Sequence, residues 1–578
     1  MTYRSIFAAC VAALAAATPL VAQAPIRVDT GVAVPMRDGV VLRADLYRPP
    51  GDGRFPVLVH RTPYSRAESP SDPLVLAAVR RGYAVVLQDV RGRYGSGGVF
   101  EAYRQEGKDG YDTIEWAAHQ PWSNGAVGTF GLSYPGAVQW LAAVEHPPSL
   151  KAMVPAMTFS TPETFWYSGG VWDGSWLDWT WLNIAPDLRR RLGVPGPRTD
   201  EEAARSWDRD GPAARTYRPL LELPDFKGVA PWYYEWMRHP PGDPWWSFAR
   251  LPTGYDQVSA AVLNLSGWFD EMYRPSGAVE NYLGAGDELV LGPWTHGVAA
   301  VQVSKAGDRD FGPSAALDYV GTVLGWMDRH VKGVDSAKAE PAVRMFVMGS
   351  NRWRSADRWP FPGTQPDTVY LERPAAGSRT GRLAKRLSAG PGGETVIHSD
   401  PAHPVTDPFQ GRFGAHDYRS LTPGPSIAVF ETAPFAAPVE IIGRVVAELA
   451  VSASVPDFDL WVQLYDVAPD GTAWNLSTPG TALQRASYRE GGPDRRMVKP
   501  GETVRVRMDH LVTANRFLAG HRLRVVVTPA FAPVFSLNPQ TGVQEFESDS
   551  VLAGDIRIGH AAGRVSRIIL PVVPVGDR

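Results

Sequence analysis

The sequence predicts an α/β protein: a doubly wound, mostly parallel sheet, split by a helical insertion and followed by an all-β domain. Three observations carry this. Short unbroken apolar runs, of the kind buried on both faces, alternate with helix-like segments from about residue 28 to residue 333. Ten of the 20 tryptophans fall between residues 153 and 252, so the texture changes there. From about residue 340 the pattern alternates at period two between Gly, Pro, Asp and Asn turns. A chain of 578 residues also exceeds one core.

Residues 1–24 read as an export signal. Arg4 supplies the positive start, Ile6 to Ala17 the apolar run, and "PLVAQA" the small residues of a cleavage site. Cleavage after Ala22 or Ala24 is expected, and Pro25 favours Ala22. "FAAC" loosely resembles a lipoprotein box, but the run before it is too short. The only cysteine, Cys10, lies in this segment. The mature chain would then have no disulfide, thiol nucleophile or cysteine-bound metal. The expected destination is the periplasm or the medium.

Residues 25–152 form the first part of the α/β unit. "VAVPMRDGVVLRADLYRP" is a hairpin around Asp38-Gly39. "FPVLVHRTPY" and "YAVVLQDVRG" are strands, and "PLVLAAVRRG" between them is a helix ended by Gly82. "GKDGYDTIEWAAHQ" is a helix with acidic residues near its start. "VGTFGLSYPGAVQWLAA" is strand, turn and helix, and "LKAMVPAM" is another strand. Residues 153–252 are a helical cap, with "SWLDWTWLNIAPDLRRRLG" and "EEAARSWDRD" its helices. Residues 253–338 complete the unit through "AAVLNLSGWFD", "DELVLGPWTH" and the helix "ALDYVGTVLGWMDRHVKG". Residues 339–578 are a β-sandwich of jelly-roll type.

A net charge of −3 offers nothing to nucleic acid or to an anionic membrane. There is no zinc, P-loop or dinucleotide fingerprint, and "GRYGSGG" lacks the strand–helix context for phosphate. Asp457, Asp459, Asp466 and Asp470 alternate and sit in turns, which does not make a calcium loop. No cofactor is expected. Asp89 and Arg91 in "QDVRG" read as a structural ion pair and loop anchor.

The chemistry is concentrated around Ser133. In Gly131-Leu132-Ser133-Tyr134-Pro135-Gly136 a buried strand meets a helix, and a serine at such an elbow exposes its hydroxyl. Pro135 suits the first helical turn, where its missing N–H is not needed. Tyr134 keeps its N–H, which can face a developing oxyanion. A serine needs a base, and the base an orienting acid. Asp270 ends the strand in "VLNLSGWFDEMY" and His296 ends the strand in "ELVLGPWTHG". The order Ser, Asp, His is that of α/β-hydrolases. Tyr64, in "VHRTPYSR" just past another strand, could give its phenol to the oxyanion.

These residues, with "RTPY", "QDVRGRYGSGG", "GLSYPG", "GWFD", "GPWTH", "MGSNRWRSADRWP", "DFDLWVQLYDVAPDG" and "HRLRVVVTPAFAPVFSLNPQTG", resemble the cocaine esterase-like (CocE/NonD) acyl hydrolases. Relatives of that family are the α-amino-acid ester hydrolases and the X-Pro dipeptidyl-peptidases. The resemblance runs over nearly the whole mature chain. It implies an α/β-hydrolase domain with an inserted helical cap and a C-terminal jelly roll. It also implies Ser133 as nucleophile, His296 as base, Asp270 as its partner, and Tyr64 hydroxyl with Tyr134 N–H as the oxyanion hole.

One departure stands out. The amino-acid ester hydrolases carry acidic residues after the catalytic Asp and in the cap, to hold an ammonium. Here Asp270 is followed by Glu271, Met272 and Tyr273, and the cap stretch "STPETFWYSGG" offers only Glu163. An apolar or aromatic acyl group therefore fits better, with Trp166, Tyr167, Trp172, Trp268 and Phe269 as candidate contacts. The expected activity is ester hydrolysis through an acyl-enzyme on a small-molecule substrate. Two alternatives stay open: an X-Pro dipeptidyl-peptidase, and a non-catalytic carbohydrate- or partner-binding protein. Self-association also stays open.

Overall fold

The computed structural model describes residues 25–67, 73–334, 340–387 and 393–576. The expected signal segment and Cys10 lie outside the described residues.

Six strands open the chain: β1 (Arg27–Pro35), β2 (Val41–Arg48), β3 (Phe55–Thr62), β4 (Ala84–Asp89), β5 (Ser123–Leu132) and β6 (Leu150–Ala156). After the cap follow β7 (Ala261–Phe269), β8 (Glu288–Thr295), β9 (Val343–Val347) and β10 (Arg352–Ala356). They form one ten-stranded sheet in the order β1-β2-β4-β3-β5-β6-β7-β8-β9-β10. The hairpin β1–β2 is antiparallel, as the Asp38-Gly39 turn predicts. From β4 through β9 neighbouring strands are parallel. Central strands of such a sheet lose water on both faces, and every residue of β4 is buried.

Helices cover both faces. They include α1 (Pro73–Arg80), α2 (Glu106–Ala118), α3 (Tyr134–Ala143), α4 (Arg274–Ala285) and α5 (Tyr319–His330). Gly82, at φ +89°, ends α1, and the N–H of Tyr83 returns to the carbonyl of Ala78. The acids at the start of α2 do more than complement its dipole. Glu106 forms a buried ion pair with Arg61 at 2.8 Å, and Asp109 one with Arg91 at 2.5 Å.

Two expected boundaries move. The cap was expected from residue 153, but β6 continues to Ala156, so the insertion begins after the strand. The sheet does not end at residue 338 either. Strand β9 pairs in parallel with β8, and β10 turns back antiparallel on β9. "AVRMFVMG" has the continuous apolar character of a buried strand, but it follows the last sheet helix and so reads as the start of the next domain. Asp89 and Arg91 are structural, yet not paired with each other. Asp89 holds Arg66, whereas Arg91 bridges Asp109 and Asp38.

The insertion carries helices at Ser175–Trp179, Ala185–Leu192, Asp200–Thr216 and Pro231–Arg238. Thr199 caps the third by accepting the N–H of Glu202. The aromatic residues of the cap join the same core as α2 and α3, so the cap rests on the sheet through rings. The C-terminal domain is all-β. Among the described residues its 13 strands form one hydrogen-bonded network in which the long strands Val439–Ala453 and Val504–Phe517 pair antiparallel. It reaches the cap directly: Gly174 N–H donates to the Val534 carbonyl at 2.8 Å, and Ser168 Oγ to that of Gly480 at 2.7 Å.

Candidate active site

Strands β3, β5, β7 and β8 run the same way, so their carboxyl ends share one sheet edge. Tyr64, Ser133, Asp270 and His296 each follow the end of one of these strands. This edge is where open α/β sheets assemble their sites.

Ser133 lies between β5 and α3 at φ +72° and ψ −131°, a conformation costly for a non-glycine residue. Its surroundings over-determine it. The Ser133 N–H donates to the Ala156 carbonyl at 3.0 Å, and its own carbonyl accepts the N–H groups of Gly136 (2.8 Å) and Ala137 (2.9 Å). The flanking glycines are needed for close approach. A Cβ on Gly131 would lie 2.5 Å from Pro135 Cβ, and one on Gly136 would lie 2.4 Å from the Ala156 carbonyl oxygen. Pro135 falls in the first turn of α3, as expected.

The Nδ1–H of His296 donates to Asp270 Oδ1 at 3.0 Å. Asp270 is fully buried, and the same oxygen accepts the N–H groups of Met272 (3.1 Å) and Tyr273 (3.2 Å). Burial disfavours the imidazolium, but the charge of Asp270, its hydrogen bond and the charge of Glu271 outweigh it. The His296 pKa is raised above its ordinary 6.5. Glu271 lies beside this pair, its Oε2 accepting the backbone N–H of His296 at 3.1 Å. Burial pushes Glu271 up to about 7.

Two phenols flank Ser133, those of Tyr64 and Tyr273. Burial raises the pKa of both, so both stay protonated donors. Trp179 Nε1–H donates to the Tyr64 hydroxyl at 2.9 Å. Tyr134 is the first residue of α3, where an N–H has no partner within the helix. Its side chain is anchored away from Ser133, donating to Glu106 Oε1 at 2.8 Å and stacking on Tyr103 at 4.2 Å. The backbone N–H is thereby held at the elbow. Ser133, His296, Asp270, Tyr64 and Tyr134 thus converge on one edge.

The five expected substrate contacts do not. Trp268 and Phe269 belong to the core shared with the C-terminal domain, where Trp268 Nε1–H donates to the Phe346 carbonyl at 2.8 Å. Strand β7 is covered on both faces, so the residues just before Asp270 have no open side. Tyr167 and Trp172 are buried inside the cap, Tyr167 donating to the carbonyls of Trp236 and His239. Trp166 comes nearest, edge-on to Tyr103 at 5.3 Å. Reading the sequence missed Tyr103, Trp179 and Tyr273. Position alone could have flagged Tyr273, three residues beyond Asp270; nothing in "FEAYRQEG" signals Tyr103.

Open space lies beside the site, between cap and C-terminal domain. Asp178, Arg215, Glu271, Met272, Gln410 and Phe413 line part of it. Among the described residues no group of three or more His, Cys, Asp or Glu could hold a metal ion, and no helix is long and apolar enough to cross a membrane.

Two family models cover the chain. The X-Pro dipeptidyl-peptidase (S15 family) model matches residues 38–298, and the X-Pro dipeptidyl-peptidase C-terminal non-catalytic domain matches residues 335–569. Cocaine esterase of Rhodococcus sp. (strain MB1 Bresler) is 33% identical over 94% of this chain and 98% of its own. Among solved structures, an aminopeptidase from a marine sediment archaeon superposes with a TM-score of 0.80 at 23% identity, covering 95% of this chain and 96% of the other. An α-amino acid ester hydrolase superposes with a TM-score of 0.78 at 24% identity, covering 96% and 100%. At those identities the two structures show the shared α/β-hydrolase fold. The chain is a serine hydrolase and belongs to the cocaine esterase-like branch of the X-Pro dipeptidyl-peptidase (S15) family.

Proposed function

We propose that this enzyme hydrolyses esters with an apolar or aromatic acyl group, through an acyl-enzyme on Ser133. The observation that carries the reading is the half-buried elbow serine on the same strand edge as the His296–Asp270 pair. His296 takes the Ser133 proton, and the hydroxyl oxygen attacks the carbonyl carbon. Tyr64 hydroxyl and Tyr134 N–H receive the oxyanion. The alcohol leaves with the proton from His296, and water, activated by His296, releases the acid. Asp270 fixes the imidazole tautomer and steadies its charge. Trp179 and Phe165 pack against the two phenols, an apolar setting that supports the acyl preference.

Peptide cleavage after Xaa-Pro is the second reading, favoured by the family model itself. It needs a carboxylate for the substrate ammonium. Glu163 is committed to Arg250, which leaves Glu271. The leader-like residues 1–24 support export, and fractionation of the expressing cell would test it. For the activity, the mature chain and Ser133→Ala are compared on short-chain aryl esters and on an Xaa-Pro anilide. Ester turnover that disappears in the variant, without anilide cleavage, is the expected result. Efficient anilide cleavage would favour the peptidase, and unchanged activity in Ser133→Ala would remove Ser133 as nucleophile.

A further inference from the structure

Tyr273 touches all three members of the site. Its N–H donates to Asp270 Oδ1 at 3.2 Å. Its ring stacks on the His296 imidazole, with centroids 5.6 Å apart and planes 23° apart. Its hydroxyl, 3.0 Å from that of Tyr103, flanks Ser133.

Hydrogen-bond accounting assigns a direction to that last approach. A serine hydroxyl has one proton and two lone pairs. In the reaction proposed above the Ser133 proton goes to His296, so both phenols must donate to the serine oxygen. Each phenol has another polar partner besides the serine. Trp179 Nε1–H serves Tyr64 at 2.9 Å, and the hydroxyl of Tyr103 lies 3.0 Å from that of Tyr273. With Tyr103 as donor, the Tyr273 proton is free to point at Ser133. Tyr64 and Tyr273 are thus equivalent in kind, each a supported, buried phenol aimed at the nucleophile.

Tyr273 is also held more rigidly than its place on a loop requires. Its ring stacks on Phe165 at 4.3 Å and 14°. The next residue, Arg274, adopts φ +62° and forms a buried ion pair with Asp173 of the cap at 2.7 Å. The Arg274 guanidinium also lies 4.8 Å from the ring centre of Phe535 in the C-terminal domain. Sheet, cap and C-terminal domain therefore all fix the segment that carries this phenol.

We propose that Tyr273 is a further catalytic residue, whose phenol stabilises the serine oxygen when that oxygen is the leaving group. This rests on the acyl-enzyme reading. In deacylation, water adds to the acyl carbon and gives a proton to His296. The C–O bond to Ser133 then breaks, its electron pair stays on the serine oxygen, and His296 returns the proton there. The Tyr64 hydroxyl is occupied by the oxyanion during this step. Tyr273 is the donor left to meet charge building on the serine oxygen. In acylation the same bond draws density from the attacking lone pair, so it gives no comparable help. The role is therefore specific to the second half of the reaction.

Tyr273→Phe removes the hydroxyl and keeps both ring stacks. On an aryl ester, kcat should fall by about 10- to 100-fold. KM should fall with it, kcat/KM should stay near the native value, and stopped flow should show a burst of aryl alcohol as acyl-enzyme accumulates. Melting temperature serves as the folding control. Tyr103→Phe, which strips the supporting hydroxyl, should move the same ratio less, and it carries the test if Tyr273→Phe does not fold. Where the native enzyme turns over esters, an unchanged kcat in Tyr273→Phe would overturn the proposal. So would an equal fall of kcat and kcat/KM without a burst. If the native enzyme forms no acyl adduct on Ser133, the acyl-enzyme reading itself fails, which is a separate result.

Discussion

Glu271 Oε2 accepts the backbone N–H of His296 at 3.1 Å, so the residue after Asp270 holds the main chain of the residue that Asp270 orients. Two neighbouring carboxylates thereby grip one histidine, one by its ring and one by its backbone. Only the ring contact follows the pattern that the sequence suggests.

The pH dependence follows from that arrangement. His296 titrates above 6.5, and it must be neutral to act as a base, so kcat/KM should rise with pH through a midpoint above 6.5. The Glu271 charge contributes to that raised value. Glu271→Gln keeps an acceptor for the His296 N–H but removes the charge, so the midpoint should move to lower pH. A pH–rate profile measures it, and a midpoint that stays or rises would contradict the assignment.

The same substitution has a stability signature. Burial raises Glu271 from 4.5 to about 7, so the folded state holds its proton more tightly than the unfolded chain. The stability this proton provides is complete below about 4.5 and is lost as pH rises through 7. Glu271→Gln should therefore gain melting temperature relative to the native chain between pH 5 and pH 8. A difference that shrinks with pH would reverse the sign.

Tyr64→Phe should lower kcat by about 100-fold with little change in KM, because it deletes one of two oxyanion donors. Steady-state kinetics on an aryl ester would measure this. A loss confined to KM would mean that Tyr64 only binds substrate.

The elbow can be tested through stability alone. Ser133→Ala and Ser133→Gly both lose the hydroxyl, but only glycine adopts φ +72° without strain. The glycine variant should be the more stable of the two by about 1 kcal/mol or more. Denaturant unfolding of the pair reads this difference directly.

Trp268→Phe should cost stability, about 1 kcal/mol for the lost bond to Phe346, and leave KM for esters unchanged. A marked change in KM would return Trp268 to the substrate contacts. The position marks where sequence reading reaches its limit. Ser133, Asp270 and His296 were legible because each follows an apolar strand, and parallel strands bring their ends to one edge. The aromatic wall was not, because a ring adjacent in sequence to a catalytic residue can face an entirely different core, as Trp268 and Phe269 do. Tyr103 comes from the approach to α2, and only the folded chain brings it to Tyr273. The end of the first sheet was equally hidden, because an apolar run such as "VRMFV" suits either domain.

That last strand has a consequence for how the gene can be divided. Strand β9 pairs with β8 in the first sheet, yet the next residue, Met348, bonds through its N–H to Ala514 and through its carbonyl to Arg516 in the second domain. A cut at the expected boundary would strip two strands from the first half and expose a raw sheet edge that invites aggregation. It would also leave β9 in the second half without its partner β8. Chimaeras that exchange whole domains between relatives should join beyond residue 356 and carry the matching 514–516 segment, so the two halves are best inherited as one piece.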